Sequence, residues 1–332
     1  MKSKPAAGAL TSSTPILKAN AAAIAEAARL LRAGRLVAFP TETVYGLGAD
    51  ATSDTAVARV YAAKGRPAFN PLIAHVANLA AAKAQGVFSA DALRLAERFW
   101  PGPLTLVLPL APNATVCAAV RAGRSTIALR VPSHPTALSL LAAVNLPLAA
   151  PSANRSGRVS PVTAAHVSSD LSGEIDLILD AGPCPVGVES TIVACLDGPP
   201  RLLRPGGLSR DLIEEALGAK LAEATGEGAI IAPGALASHY APRAKLRLGA
   251  LSLEAGEAGL DFGGHFPASQ NVLDLSPGRN LDEAAARLFT FLRELDALQP
   301  DCIAVAPIPH TGLGEAINDR LRRAAAPRPG GI

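Results

Sequence analysis

The sequence predicts a mixed α/β or α+β domain followed by a smaller α/β unit. Three observations carry that expectation. Amphipathic helical stretches alternate with short apolar runs without a strict β-α-β beat, and several runs lie close enough for antiparallel pairing, so a mixed sheet is expected. Residues 219–243 are rich in Gly, Ala and Pro and lack periodicity, which reads as a long linker. The chain of 332 residues favours about two domains, at roughly 150 residues each. With 49% hydrophobic and 18% charged residues there is material for a large core, which excludes a wholly disordered protein. The 29 Gly and 28 Pro exceed ordinary usage without reaching low complexity, so many tight loops are expected.

The elements follow in order. Asn20 caps a helix that Gly34 stops, with Ile24, Ala28 and Leu31 on one face. Arg35 to Phe39 is a short strand, and a loop opens at Pro40. Ser53 caps the next helix, whose Val57, Val60 and Tyr61 face inward. A strand at Leu72 to Val76 precedes a helix at Asp91 to Trp100, ended by Pro101 and Gly102. Strands are expected at Leu104 to Leu108, Thr126 to Val131, Leu146 to Ala150, Ile175 to Asp180 and Thr191 to Leu196. Helices are expected at His134 to Val144, Thr163 to Leu171 and near Ser209 to Leu217. The second unit offers strands at Lys245 to Leu248, Asn271 to Leu275 and Cys302 to Ala306, and helices at Leu281 to Leu298 and Leu313 to Ala324. No solenoid repeat is present in the sequence.

Composition narrows the function classes. A net charge of +3, from 31 basic and 28 acidic residues, is too small to argue for nucleic acid by itself. Cys117, Cys184, Cys195 and Cys302 lie far apart with no C-x-x-C, so they read as reduced, mostly buried residues of a cytoplasmic protein. Lys2 and Lys4 mimic a signal-peptide start, but the apolar run after them is too short. Val131 to Asn154 lacks charge yet is broken by Pro132, Pro135, Pro147 and Pro151, so a soluble helix and a buried strand are expected there, not a membrane span.

The chemistry is sought in polar residues set in apolar, Gly/Pro-punctuated loops. No Walker loop, G-x-S-x-G elbow or H-E-x-x-H is present. Gly46-Leu47-Gly48-Ala49-Asp50-Ala51 fits G-x-G-x-x-A, but the segment where a dinucleotide site wants an acidic residue is the basic Lys64-Gly65-Arg66-Pro67. Lys64 and Arg66 close a helix, where they could merely complement its dipole. Pro67 and Pro71 stiffen the loop after them, which suits two cations that must reach one polyphosphate. Pro151-Ser152-Ala153-Asn154-Arg155-Ser156-Gly157 joins a strand to a helix, offering N–H groups and small hydroxyls to a ligand, or forming an ordinary Asx/Ser turn. Gly187-Val188-Glu189-Ser190-Thr191 enters a strand and Leu203-Arg204-Pro205-Gly206-Gly207 leaves one. Arg130, on an apolar strand, needs a carboxylate or phosphate partner from the protein or a ligand.

Taken together, these segments resemble the threonylcarbamoyl-AMP synthase family, whose catalytic unit is the YrdC-like domain. The resemblance rests on Pro40-Thr41-Glu42-Thr43-Val44-Tyr45-Gly46-Leu47, the K-x-R of Lys64-Gly65-Arg66, the S-x-N of Ser152-Ala153-Asn154, Glu189-Ser190-Thr191 and Leu203-Arg204-Pro205-Gly206. Pro233-Gly234, His239-Tyr240-Ala241-Pro242 and Gly312 to Arg320 are typical of its long, two-domain form, although Ala235 stands where Met is usual. The resemblance implies a YrdC-like twisted mixed sheet with flanking helices over 15–217, a linker or lid over 218–243, and a small C-terminal Rossmann-like α/β domain over 244–332.

It also implies an activity. Such enzymes join L-threonine, bicarbonate or CO2, and ATP into threonylcarbamoyl-AMP and pyrophosphate, and a downstream transferase moves the threonylcarbamoyl group onto a tRNA adenosine beside the anticodon. By resemblance, Lys64, Arg66 and Arg204 hold phosphates, with Mg2+ carried on those of ATP, and Ser152, Asn154 and Ser160 line the nucleotide pocket. Asn70 and Thr126 are expected to contact the nucleotide. Arg130 is expected to clamp the threonine carboxylate, and Thr43, His75 and Ser190 to read the threonine body. Tyr240, with His239, is expected to fold over the mouth as a lid and so touch the ATP site. A second reading, an RNA-binding or regulatory protein of the same fold, would turn Lys64, Arg66, Arg130 and Arg204 toward tRNA phosphates.

Overall fold

The computed structural model describes residues 13–223 and 239–327. In chain order the first part holds β1 (Ile16–Lys18), α1 (Ala21–Arg32), β2 (Val37–Pro40), β3 (Tyr45–Asp50), α2 (Asp54–Lys64), β4 (Ile73–His75), α3 (Leu79–Lys83), α4 (Ala90–Phe99), β5 (Leu104–Pro109), β6 (Thr126–Arg130), α5 (Pro135–Val144) and β7 (Leu148–Ala149). It continues with α6 (Ala164–Leu171), β8 (Leu177–Asp180), β9 (Thr191–Ala194), β10 (Arg201–Arg204), α7 (Arg210–Leu217) and β11 (Ala222–Glu223). The second part holds β12 (Lys245–Leu248), β13 (Glu257–Asp261), β14 (Val272–Asp274), α8 (Leu281–Ala297), β15 (Cys302–Val305) and α9 (Leu313–Ala325).

Eleven strands form one mixed sheet in the order β1-β8-β2-β3-β7-β4-β6-β5-β9-β10-β11. The pairs β2–β3 and β5–β6 are antiparallel, whereas β4–β6 and β5–β9 are parallel. The mixed sheet expected from the irregular helix–strand beat is therefore present. The second part is a four-stranded sheet in the order β12-β15-β13-β14, all parallel, with α8 packed on α9. This is the small Rossmann-like unit expected.

Helix ends follow the sequence. Asn20, Ser53 and Thr163 accept backbone N–H bonds as N-caps, and Gly65 ends α2 in the left-handed conformation. Other elements depart from expectation. The segment after Pro40 is not all loop, since Tyr45–Asp50 is a buried strand. Gly46 and Gly48 hide it from a propensity reading. Gly48 is small because Phe39 packs over it, and a Cβ there would lie 2.9 Å from the ring. The strand β13 carries Gly259 for the same reason, with Phe266 and Val272 against it. The short elements β1 and α3 also lie outside the expected set. Most of the expected linker, including Pro233-Gly234, lies outside the described residues. Its first part is not free of structure: β11 pairs with β10, held by the Leu221 N–H on the Glu214 carboxylate.

Strand alternation sorts the residues of the large sheet between its faces. One face carries Leu47, Ala74, Leu106, Leu129 and Val193 into the main core. Half of the opposite face carries Val37, Phe39, Leu148 and Leu177 under α1 and α5. The remaining half carries only a small apolar patch of Ile73, Val107, Ala128, Ile192 and Ala194. Next to that patch, in register on β4 and β6, stand His75 and Arg130.

No described helix is long and apolar enough to cross a membrane. All four cysteines are free; Cys184 and Cys195 are buried, and Cys117 and Cys302 are half-buried.

Candidate active site

A small cavity lies over that half-covered sheet face. It is lined by Thr41, Thr43, His75 and Arg130 on one side and by Arg66, Ser152, Ser190 and Arg204 on the other. Glu189, His239 and Tyr240 also belong to the wall. The free space open to water centres is about 50 Å³, room for a few waters at ~10–15 Å³ each.

Distant segments are tied together by backbone bonds. Leu47 N–H donates to Pro151 O at 2.7 Å and Ala153 N–H to Tyr45 O at 2.8 Å, so the loop holding Ser152 is zipped to β3. Lys64 Nζ donates to Ser152 O and Asn154 O, both at 2.5 Å, and Ser156 N–H returns to Lys64 O at 2.8 Å. Arg66 is clamped by Nε to Asn70 O at 3.1 Å and Nη2 to Pro71 O at 2.8 Å. Among the described residues these two cations are thus held by backbone carbonyls, with no carboxylate at ion-pair distance. Burial, with Arg66 nearby, holds the Lys64 ammonium well below its ordinary pKa. Burial likewise brings Arg66 down to about 10. Both positions favour an incoming anion.

Two buried carboxylates sit on the opposite side of the account, and sequence reasoning gave neither a role. Glu42 accepts from Arg130 Nη2 at 2.7 Å and from the Ser133 N–H at 3.1 Å. Burial alone would raise its carboxyl, but Arg130 holds it below the usual range. Glu189 accepts from Ser160 Oγ at 2.5 Å and from Arg320 Nε at 2.7 Å. Burial pushes Glu189 up, yet Arg320 and Arg204 bring it down to about 2. The available signal was a charged residue inside an apolar, hydroxyl-rich segment, which a buried position obliges to find a partner. Arg320 ends the Gly312 to Arg320 segment typical of the two-domain form, but nothing local to it pointed to Glu189 as a partner.

Arg204 Nη2 donates to Ser190 O at 2.8 Å, and Ser190 Oγ shares a 2.8 Å hydrogen bond with Thr105 Oγ1. Gly206 makes this possible. A Cβ there would meet Glu189 O, Ser190 C and Thr191 N, all at 2.4 Å and all backbone. Gly206→Ala is therefore expected to cost ~1–3 kcal/mol of stability by overpacking, measured as a lower denaturant midpoint at unchanged slope.

Of the residues expected to act, the cavity wall brings together Thr43, Arg66, His75, Arg130, Ser152, Ser190, Arg204, His239 and Tyr240. Lys64, Asn70, Thr126, Asn154 and Ser160 stand outside that wall. Lys64 lies under the Ser152–Asn154 loop, and Ser160 is spent on Glu189. Asn154 turns its amide to Arg155 O and Arg158 O at 2.8 and 2.9 Å. Asn70 is fully buried, and neither side-chain amide atom has a hydrogen-bond partner among the described residues. Thr126 shares the strand face of Ala128 and Arg130 but starts its strand, half-buried.

His239 and Tyr240 roof the cavity. Ala241 N–H donates to Gly157 O at 2.9 Å and His239 N–H to Arg323 O at 3.2 Å, so the roof is pinned to both parts of the protein. Tyr240 holds a left-handed φ of 63°, which costs a non-glycine residue ~1–2 kcal/mol. Its ring stacks on Phe289 at 5.7 Å. Burial pushes both His75 and His239 down to about 3, so they are neutral in the folded state. Their folded pKa lies below the unfolded value, so the stability they contribute is complete above about pH 6.5 and falls on acidification. Each is expected to withdraw about 2 kcal/mol by pH 5. Urea midpoints at pH 7 and 5 check this, with His75→Gln reducing the loss.

Residues 29–206 match the Sua5_yciO_yrdC family model, described as Telomere recombination. Residues 208–326 match the model described as Threonylcarbamoyl-AMP synthase, C-terminal domain. The chain belongs to the threonylcarbamoyl-AMP synthase family. It is 42% identical to the threonylcarbamoyl-AMP synthase of Bacillus subtilis, over 95% of this chain and 96% of that relative. It is 39% identical to the one from Schizosaccharomyces pombe, over 92% and 88%. Among solved structures, Pyrococcus abyssi Sua5 complexed with L-threonine is 38% identical with a TM-score of 0.86, covering 94% of this chain and 96% of that one. The family resemblance read from the motifs and the two-part fold expected with it are both borne out.

Proposed function

We propose that the cavity beneath His239 and Tyr240 is where this chain condenses L-threonine, bicarbonate or CO2, and ATP into threonylcarbamoyl-AMP and pyrophosphate. The observation that carries this reading is the pair of buried cations, Lys64 and Arg66, held by backbone carbonyls beside Arg204 and Arg130. A carbamate oxygen must attack the α-phosphorus of ATP while pyrophosphate leaves. Both reactants are anions, so cancelling their repulsion and aligning them lowers the barrier most.

In this reading Arg66 and Arg204 meet the phosphates at the cavity wall, and Lys64 sets the Ser152–Asn154 loop from below. The apolar patch of Ile73, Ala128 and Ile192 offers a floor for the adenine side. Arg130, held by Glu42, presents its guanidinium to the threonine carboxylate, and Thr43, His75 and Ser190 surround the threonine body. Neutral His75 serves as a hydrogen-bonding and packing group, not as a proton carrier. Glu42 and Glu189 are both committed to arginines, and the described residues contain no cluster of metal-ligating side chains. Mg2+ would thus arrive on the phosphates of ATP as part of the substrate.

The roof has to lift to admit ATP, and its return keeps water from the labile mixed anhydride. The product would pass to a transferase acting on tRNA in the cytoplasm. RNA binding as the main function is less favoured, because Lys64, Arg66, Arg130 and Arg204 are all buried and beyond the reach of a polynucleotide backbone.

The test is pyrophosphate release from ATP, which should require both L-threonine and bicarbonate. Release independent of both would mean a plain ATPase. A site built to hydrogen-bond the substrate hydroxyl rejects an analogue lacking it by up to ~10⁴-fold. Turnover should therefore follow threonine, then serine, then valine, and equal rates with valine would remove Thr43, His75 and Ser190 from their assigned roles.

A further inference from the structure

Arg320 lies on α9 of the second part, yet its side chain is wholly buried against the first. It spans three pieces of the site. Nε donates to Glu189 Oε2 at 2.7 Å, next to Ser190. Nη1 donates to Pro205 O at 2.9 Å, next to Arg204. The guanidinium carbon sits 5.1 Å from the centre of the Tyr240 ring, in the roof. Nη1 also meets Asp319 Oδ2 at 2.6 Å, and Asp319 is in turn held by Arg323 at 3.0 Å. Arg323 is the residue whose carbonyl accepts from the His239 N–H.

Helix α9 packs its apolar side on α8 and β12, and that packing gives no stability reason to bury an arginine completely. Taking a guanidinium out of water is costly, and an apolar side chain of similar volume often does as well or better. The structure spends that cost at one point, where the Glu189–Ser190 turn, the Arg204–Pro205 turn and the roof meet. Gly187 supports the same junction. It holds φ +78°, and a Cβ there would sit 2.3 Å from the Ala285 carbonyl of α8, so only glycine lets the second part come this close.

We infer that Arg320 is a positioning residue through which the second part sets the active site: it fixes Glu189 and Pro205, and thereby Ser190 and Arg204, while holding Tyr240 in the closed roof. This rests on the proposed synthase reading. It makes the C-terminal part a component of the catalytic geometry and gives Arg320 a role that its sequence context did not suggest.

The inference separates from simple structural support through pH. In the native protein Glu189 faces Arg320, Arg204, the Ser160 hydroxyl, His239 and Tyr240, and Asp319 bonds the far side of the Arg320 guanidinium. Removing Arg320 takes away the strongest counter-charge, so the Glu189 carboxyl must move up. An acidic limb absent from the native enzyme then enters the pH–rate profile, with activity falling as pH drops from 7 toward 5.

The experiment uses the full chain and threonine-dependent pyrophosphate release, with Arg320→Met, Arg320→Lys, Glu189→Gln and the double Met/Gln variant. Arg320→Met is expected to lower kcat about 100-fold with a smaller rise, under tenfold, in the KM for threonine through Ser190, since Arg130 and Glu42 are untouched. It should also show the new acidic limb. The double variant should lose that limb and be no slower than the slower single variant, as coupled residues require. Arg320→Lys should recover part of kcat. Should Arg320→Met fail to fold, Arg320→Lys and the double variant carry the test through the same kcat and pH readouts. Folded variants with native kcat and pH profile overturn the inference, as does a loss equal in the single variants and additive in the double. A native chain that releases no pyrophosphate on adding threonine and bicarbonate overturns the synthase reading itself, and the inference with it.

Discussion

Arg66→Ala is expected to lower turnover at saturating threonine and ATP by at least ~100-fold, the scale on which loss of one preorganised transition-state donor is felt. The side chain is fastened by Asn70 O and Pro71 O, so under the proposed function its charge would already be aimed when pyrophosphate begins to leave. Arg66→Lys should recover little, because an ammonium cannot span both carbonyls and still face the phosphates. Lys64→Ala should be comparably slow for a different reason. It frees the carbonyls of Ser152 and Asn154 and loosens the loop zipped to β3, so its thermal midpoint should fall while that of Arg66→Ala changes less. Steady-state kinetics with melting curves for the two variants separate the roles. Near-native rates in both would return these cations to simple helix-end charge.

The second large effect concerns Glu42. Glu42→Ala leaves Arg130 buried without its carboxylate, and breaking such a pair costs ~3–5 kcal/mol. In the proposed reading that guanidinium receives the threonine carboxylate, so the KM for threonine should rise at least tenfold while that for ATP stays near native. Glu42→Gln keeps the shape and the Ser133 N–H bond and should show the KM effect with a smaller loss of stability. The pH dependence follows from the depressed carboxyl. Its stabilisation is complete above the ordinary carboxylate pKa and is lost as pH falls through the lower, folded-state value. Urea unfolding and threonine saturation curves measure both parts, and a Glu42→Ala protein with native stability would contradict the pairing.

How far the site could be read in advance depended on whether each residue's role was local. The caps at Asn20 and Ser53 and the stop at Gly34 are local signals, and the helices formed where those signals placed them. Tyr45–Asp50 was hidden because its two glycines are there for Phe39, a cross-strand neighbour that no window on the segment reveals. The cations of the site were visible as charges in rigid or apolar loops. Their partners were not, since Arg130 and Glu42 are 88 positions apart, and Glu189 and Arg320 131 apart. Lys64 shows the same limit from the other side. Its charge was noticed, but only the folded chain reveals that it serves the Ser152–Asn154 loop directly.

The most direct measurement is the identity of the product formed from ATP, L-threonine and isotope-labelled bicarbonate. The account predicts one adduct carrying the bicarbonate label, threonine and AMP in equal amounts, formed in step with pyrophosphate and lost in Arg66→Ala. Unlabelled AMP or ADP as the sole nucleotide product would contradict it, because the cavity would then not be bringing the two anions together.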